Sequence, residues 1–168
     1  YWVRRPTPGS IVPGLLETLA GKLVAPKPTY TPFDDEFGWI YVQVTTDFRV
    51  APTAEVYEEL TITNVVDTAT GWVRATPSRL TFRPGEPGGS LVECTYEQSQ
   101  APYSPGVPGA CSYAYQQSSA IGVNDVFVNR TTLYWEITSS SPLVIEDNQS
   151  WREDAIAVAE IQAVVNAD

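Results

Sequence analysis

The sequence has no histidine, no methionine and only two cysteines in 168 residues. Without histidine there is no Ser-His or Cys-His nucleophile pair and no imidazole to move protons. Two thiolates without an imidazole leave zinc under-ligated unless carboxylates or a second chain help, and the spacing of Cys94 and Cys111 excludes a CxxC redox pair. No run of about 18 apolar residues occurs, so nothing reads as a membrane-spanning helix. Cations are scarce: 10 Lys and Arg stand against 20 Asp and Glu, a net charge of −10. Such a chain repels phosphate backbones and anionic lipid surfaces, so nucleic acid is not an expected partner. The same charge serves solubility. The glycines at 85, 88 and 89 lack a following Lys-Ser/Thr, so there is no phosphate-cradling P-loop.

What is present describes a folded chain. The hydrophobic fraction is 43% and the charged fraction 18%, which places it among globular domains large enough to bury a core. Cys94 and Cys111 flank a segment rich in Pro, Gly and Ser whose ends can meet, and a disulfide is the simplest pairing. A loop of this size stabilises a fold by about 3 kcal/mol in the chain-entropy model and implies an oxidising compartment. The chain begins at Tyr1 without a methionine and is expected to be an excised or processed piece of a longer product.

Residues 1–37 read as a Pro-rich arm with a short amphipathic helix. Leu15, Leu19 and Leu23 recur at helical spacing, with Pro13 expected in the first turn and Pro26 as the stop. Residues 38–168 change to period two. Ile40, Val42 and Val44; Val56, Leu60 and Ile62; Leu80 and Phe82; and Val92, Cys94 and Tyr96 each alternate with polar neighbours, as strands with one buried and one wet face do. Val126–Thr138 sets Phe127, Leu133, Trp135 and Ile137 in one phase. Residues 155–165 favour a strand by β-branching, but their apolar phase slips near Glu160, leaving a bulge or helix open. Turns rich in Pro, Gly and Ser separate these runs. The expectation is mainly β: an antiparallel sandwich with a short N-terminal helix.

The order Ala75-Thr76-Pro77, Leu80-Thr81-Phe82, Pro84-Gly85-Glu86, Cys94, Cys111-Ser112-Tyr113-Ala114-Tyr115, Leu133-Tyr134-Trp135-Glu136-Ile137 and Glu160-Ile161-Gln162-Ala163-Val164-Val165 resembles a group of exported actinobacterial proteins of unknown function. Some of these carry the label "ATP/GTP-binding protein". The same order is similar to a distant polycystic-kidney-disease (PKD) sandwich, though Pro84-Gly85-Glu86-Pro87 stands where that pattern has Gly-Asp-Gly. The resemblance implies an immunoglobulin-like or PKD-like β-sandwich outside a Gram-positive cell.

Carboxylates are the remaining acid–base groups. Glu58 and Glu59 are adjacent and would point to opposite faces of a strand, so they make a poor glycosidase pair. Asp34, Asp35 and Glu36 are weak calcium candidates, as are Glu146, Asp147 and Asn148; neither set has EF-hand spacing. Asn129 and Asn148 head Asn-x-Ser/Thr triplets, which carry glycans only in a suitable host. Trp39, Trp72 and Trp135 lie in strand-like runs and are expected in the core or at sheet edges. Trp2, Tyr103 and Trp151 lie outside such runs and are the candidate contacts for a protein partner or a sugar. The leading expectation is a non-enzymatic exported module acting by protein–protein contact in a cell-envelope or surface assembly, extracellular or on the cell surface. The alternative is a carbohydrate- or cell-wall-binding module using exposed aromatics. No cofactor is expected beyond the calcium alternative, and self-assembly stays open.

Overall fold

The computed structural model describes residues 5–142 and 148–160, without the side chains of Ile121 and Val123. The elements run α1 (Pro8–Ala20), β1 (Pro28–Thr31), β2 (Trp39–Tyr41), β3 (Thr46–Val50), β4 (Val56–Thr63), β5 (Thr68–Arg83), β6 (Val92–Thr95), α2 (Tyr96–Ser99), β7 (Ser112–Tyr113), β8 (Phe127–Ser139) and β9 (Asn148–Ala159). The fold is mainly β, with two sheets and one short N-terminal helix. One sheet has the order β1-β3-β7; the other runs β2-β9-β8-β5-β4, with β6 also on β5. The described chain divides into two compact units, residues 5–25, 52–78, 133–142 and 148–150, and residues 26–51, 79–132 and 151–160.

In the first unit, α1 starts earlier than its leucine repeat suggests. Thr7 and Ser10 form a reciprocal capping box and Pro8 occupies the first turn, where a missing N–H costs nothing. Pro13 therefore falls inside the helix rather than in its first turn, and the helix closes at Ala20–Gly21, leaving Leu23 outside. The helix buries Ile11, Val12, Leu15 and Leu19. The hairpin beneath it pairs Val56–Thr63 with Thr68–Ala75 in antiparallel register. Gly71 permits the close approach: a Cβ there would meet the Ile11 side chain at 2.9 Å. Val73, Ala75, Leu133 and Trp135 complete the buried set. The Trp135 indole donates to Ser150 Oγ at 3.0 Å, and that hydroxyl donates to the Val24 carbonyl at 2.8 Å. Strand β4 departs from expectation, since it buries none of its residues.

The second unit is the sandwich. Phe48 of β3 stacks on Phe82 of β5 at 4.3 Å, and Tyr30 of β1 meets Phe82 edge-on at 6.1 Å, joining the two sheets. Tyr115, Phe127, Ile40, Ile156 and Val158 extend this core. Leu80 and Phe82 are buried in the phase their alternation gives. The Cys94–Cys111 disulfide, with Cα atoms 5.6 Å apart, links β6 to the chain entering β7. Three elements differ from the sequence reading. Strand β2 stops at Tyr41, because Gln43 adopts a left-handed φ of 60° in a turn closed by Val44 N–H donating to the Tyr41 carbonyl. Thr95 caps α2 at Tyr96, where a strand residue was expected, by accepting from Gln98 N–H. Strand β1 pairs with β3 inside the segment read as an arm. One pairing is parallel, Trp39–Tyr41 beside Ala157–Ala159. Residues 155–159 are strand; the rest of the ambiguous C-terminal run lies outside the described residues.

Pro77 sits inside the long strand β5. β4 pairs with β5 only as far as Ala75 and β6 only from Arg79, so on that edge Pro77 falls in the gap between two partners, while β8 lies along the other edge. A residue without an N–H is tolerated where no ladder bond is asked of it.

Candidate functional site

The sequence singled out an acidic turn, a disulfide loop and three aromatics. In the acidic turn, the Asp34 carboxylate is fully engaged. Oδ1 accepts from the amides of Glu36 and Phe37 at 3.1 Å each, and Oδ2 accepts from the Tyr41 hydroxyl at 2.7 Å. The Tyr41 hydroxyl and the Phe37 amide hold its carboxyl below the usual carboxylate range. Asp34 thus ties a turn whose Phe37 and Trp39 rings stack at 5.0 Å. Among the described residues no three His, Cys, Asp or Glu side chains gather as a metal set. Glu146 and Asp147, the other acidic candidates, lie outside the described residues.

Tyr103, in the disulfide loop, lines a small cleft with Val44, Asp47 and Pro108. Asp47 is buried and accepts from Gly109 N–H at 3.2 Å, tying that loop to β3. Trp151 is half exposed and lies within β9 rather than outside a strand; the Arg130 guanidinium covers its ring at 4.4 Å. Tyr103 and Trp151 therefore have different neighbours, and Trp2 lies outside the described residues. Of the other aromatics, Trp135 is fully buried, while Trp39 and Trp72 are half-buried. Glu58 pairs with Lys22 and Glu59 accepts from the Tyr57 hydroxyl, so the two serve different partners.

Several polar residues that carry the second unit were not singled out as core groups. Glu86 is 5% exposed and accepts from the Tyr113 hydroxyl and from the amides of Gln116 and Gln117. Burial, then the Glu86 carboxylate, pushes the Tyr113 phenol far above its ordinary range. Asn129 is 1% exposed; its Oδ1 accepts from Gly85 N–H at 2.9 Å, so its triplet is closed to glycosylation in the fold. Its Nδ2, with the hydroxyls of Tyr30, Tyr115 and Thr131, is buried without a hydrogen-bond partner. Burial pushes Tyr30 up to about 12, partly offset by the nearby Asn129 amide, and pushes Tyr115 higher still. The signal for this cluster was in the sequence: Asn129 and Thr131 share the phase of Phe127, Leu133 and Trp135, and polar residues at core positions must find partners.

Among the described residues, two surfaces are open to a partner. In the first unit, β4 is an edge strand. Its exposed Leu60 and Ile62 lead to a hairpin tip where Val65 is 95% and Val66 51% exposed. In the second unit, a cleft of about 530 Å³ lies between β1 and the Asp154–Ile156 stretch of β9. No protein-family model, curated protein or solved structure matches this chain.

Proposed function

We propose that this chain is a non-enzymatic exported module that acts by protein–protein contact in a cell-envelope or surface assembly. The observation that carries this reading is the β4 edge with its apolar tip. Edge strands are templates for pairing, and natural proteins blunt them with charge, proline or bulges. Here an eight-residue strand ends in Thr61, Ile62 and Thr63, and the turn beyond presents two bare valines. The Cys94–Cys111 disulfide supports an oxidising location, and the absence of histidine leaves acid–base catalysis little to work with. The resemblance to exported actinobacterial proteins and PKD-like sandwiches agrees with this reading.

The test places a photo-crosslinking residue at Val65 in the native host. A discrete adduct, lost when Leu60 and Ile62 are replaced by lysine in a chain that still folds, is the expected result. No adduct in any envelope fraction would overturn the reading. The alternative, a carbohydrate- or cell-wall-binding module, draws on the half-exposed Trp151 ring. Saturable quenching of tryptophan fluorescence by isolated cell-wall polysaccharide, abolished in Trp151→Ala, would favour it.

A further inference from the structure

The cleft of the second unit lies between two strand edges that no strand covers among the described residues. β1 is the terminal strand of its sheet. Phe48 N–H donates to Cys111 on the far side of β3. Phe48 and its register partner Tyr30 are therefore a non-hydrogen-bonded pair, and alternation turns the Tyr30 N–H and C=O outward, away from β3. On β9, parallel pairing with β2 covers Ala157–Ala159 and stops. The Ala159 carbonyl accepts from Val42 N–H on that side, while Val158 bonds Ser119 on the other. The same alternation then aims the Ala155 N–H and C=O at the uncovered side. Both edges line the cleft, and Phe33 and Asp35 of the following turn lie along it.

The cleft is also charged. Asp154 follows the inward phase of Ile156 and Val158. Its Oδ1 is ion-paired with Arg152 Nε at 2.9 Å, which offsets part of its charge, but its Oδ2 is buried without a partner. A carboxylate oxygen so placed is costly unless a donor reaches it. Asp35 adds a second negative charge, in a chain whose net charge of −10 disfavours a further copy of itself as occupant.

The geometry points to this cleft as a docking groove for an extended, lysine- or arginine-bearing segment of a partner protein, which adds as a strand between Tyr30 and Ala155 and directs a cation to Asp154. This rests on the protein-contact reading and names a partner chemistry for it, at a site separate from the β4 edge. Main-chain bonds to the two edges supply attachment, and the carboxylates select for a basic side chain.

The test is a titration of the ¹⁵N-labelled chain, disulfide intact, with an acetylated and amidated hexapeptide of alternating lysine and valine, and with its glutamate–valine counterpart. Saturable amide shifts at Tyr30 and Ala155 are expected, with binding at least about tenfold tighter for the lysine peptide at low salt. Asp154→Asn should weaken that binding several-fold. Ala155→Pro should abolish it, since proline is tolerated on an open edge but removes the donor; circular dichroism establishes that the variant folds. Tyr30→Phe keeps the main chain and should bind as the parent does. Absence of saturable shifts in the groove, shifts confined to residues 56–63, equal affinity for the two peptides, or groove shifts that follow protein concentration without peptide would each overturn the proposal. The Val65 crosslink reports on the protein-contact reading whichever way this titration falls.

Discussion

The Tyr113 hydroxyl donates its hydrogen bond to the Glu86 carboxylate, which lies buried in a turn that reads in sequence only as Pro, Gly and an acid. The same carboxylate receives the amides of Gln116 at 3.0 Å and Gln117 at 3.2 Å, so one side chain fixes the path of the chain after β7. Glu86→Ala leaves three donors short of their acceptor and should cost about 2–4 kcal/mol in urea unfolding. Tyr113→Phe removes one donor and should cost about 1–2 kcal/mol. Equal and negligible losses in both variants would show that the turn holds without the carboxylate.

Gly85 stands one residue earlier, and its place is set by space. A Cβ would meet the Val128 carbonyl oxygen at 2.4 Å and its nitrogen at 2.5 Å, both backbone atoms that cannot swing aside. Gly85→Ala should lower stability by about 2 kcal/mol or more, because it pushes the turn off β8 and stretches the Gly85–Asn129 bond. Gly14→Ala, in open space within α1, is the control and should be neutral or stabilising.

Reduction of Cys94–Cys111, or the double change to serine, should cost about 3 kcal/mol through the freed loop. The unfolding midpoint in urea with and without reductant measures it, and intact mass of natively purified protein should show no free thiol.

The tyrosines predict how the fold fails in alkali. Tyr30 is raised to about 12, and Tyr113 and Tyr115 further, chiefly by burial. A phenol whose pKa rises on folding lends its stability fully below the unfolded value of about 10, and that contribution disappears as pH climbs through the folded value. Absorbance at 295 nm should therefore show one group of tyrosines titrating near the ordinary value and a second ionising only as the protein unfolds, above about pH 10. A single transition near pH 10, with native circular dichroism retained through it, would contradict the upward shift of these three phenols.

The alternation of Leu80 and Phe82 and the phase of Phe127, Leu133 and Trp135 made two central strands legible, because a half-buried strand advertises its inner face every second residue. Strand β3 was not legible. It lies between β1 and β7 and buries Thr46 and Asp47 along with Phe48 and Val50, so its polarity says little about which side faces in. Strand β4 erred the other way: Val56, Leu60 and Ile62 alternate correctly yet stay out of the core, because an edge strand need not be covered. The helix boundary moved because leucine spacing marks a face, whereas Thr7 and Ser10 mark the start. Of the site, Glu86 and Asp154 were missed since nothing local distinguishes a buried acid from a solvated one. Asn129 and Thr131 could have been found by phase alone.

The parallel pairing of β2 with β9 carries a consequence for how the protein is made. Trp39 lies beside Ala157, so beyond a single bridge to Asp34 the strand laid down early finds no ladder partner among the described residues until nearly all of them have followed. A chain emerging N-terminus first, from a ribosome or a translocation channel, must keep Ile40 and its neighbours from pairing elsewhere for the whole of that interval. Closing so long a loop is slow, and an early strand left waiting is where binding of a chaperone would matter most.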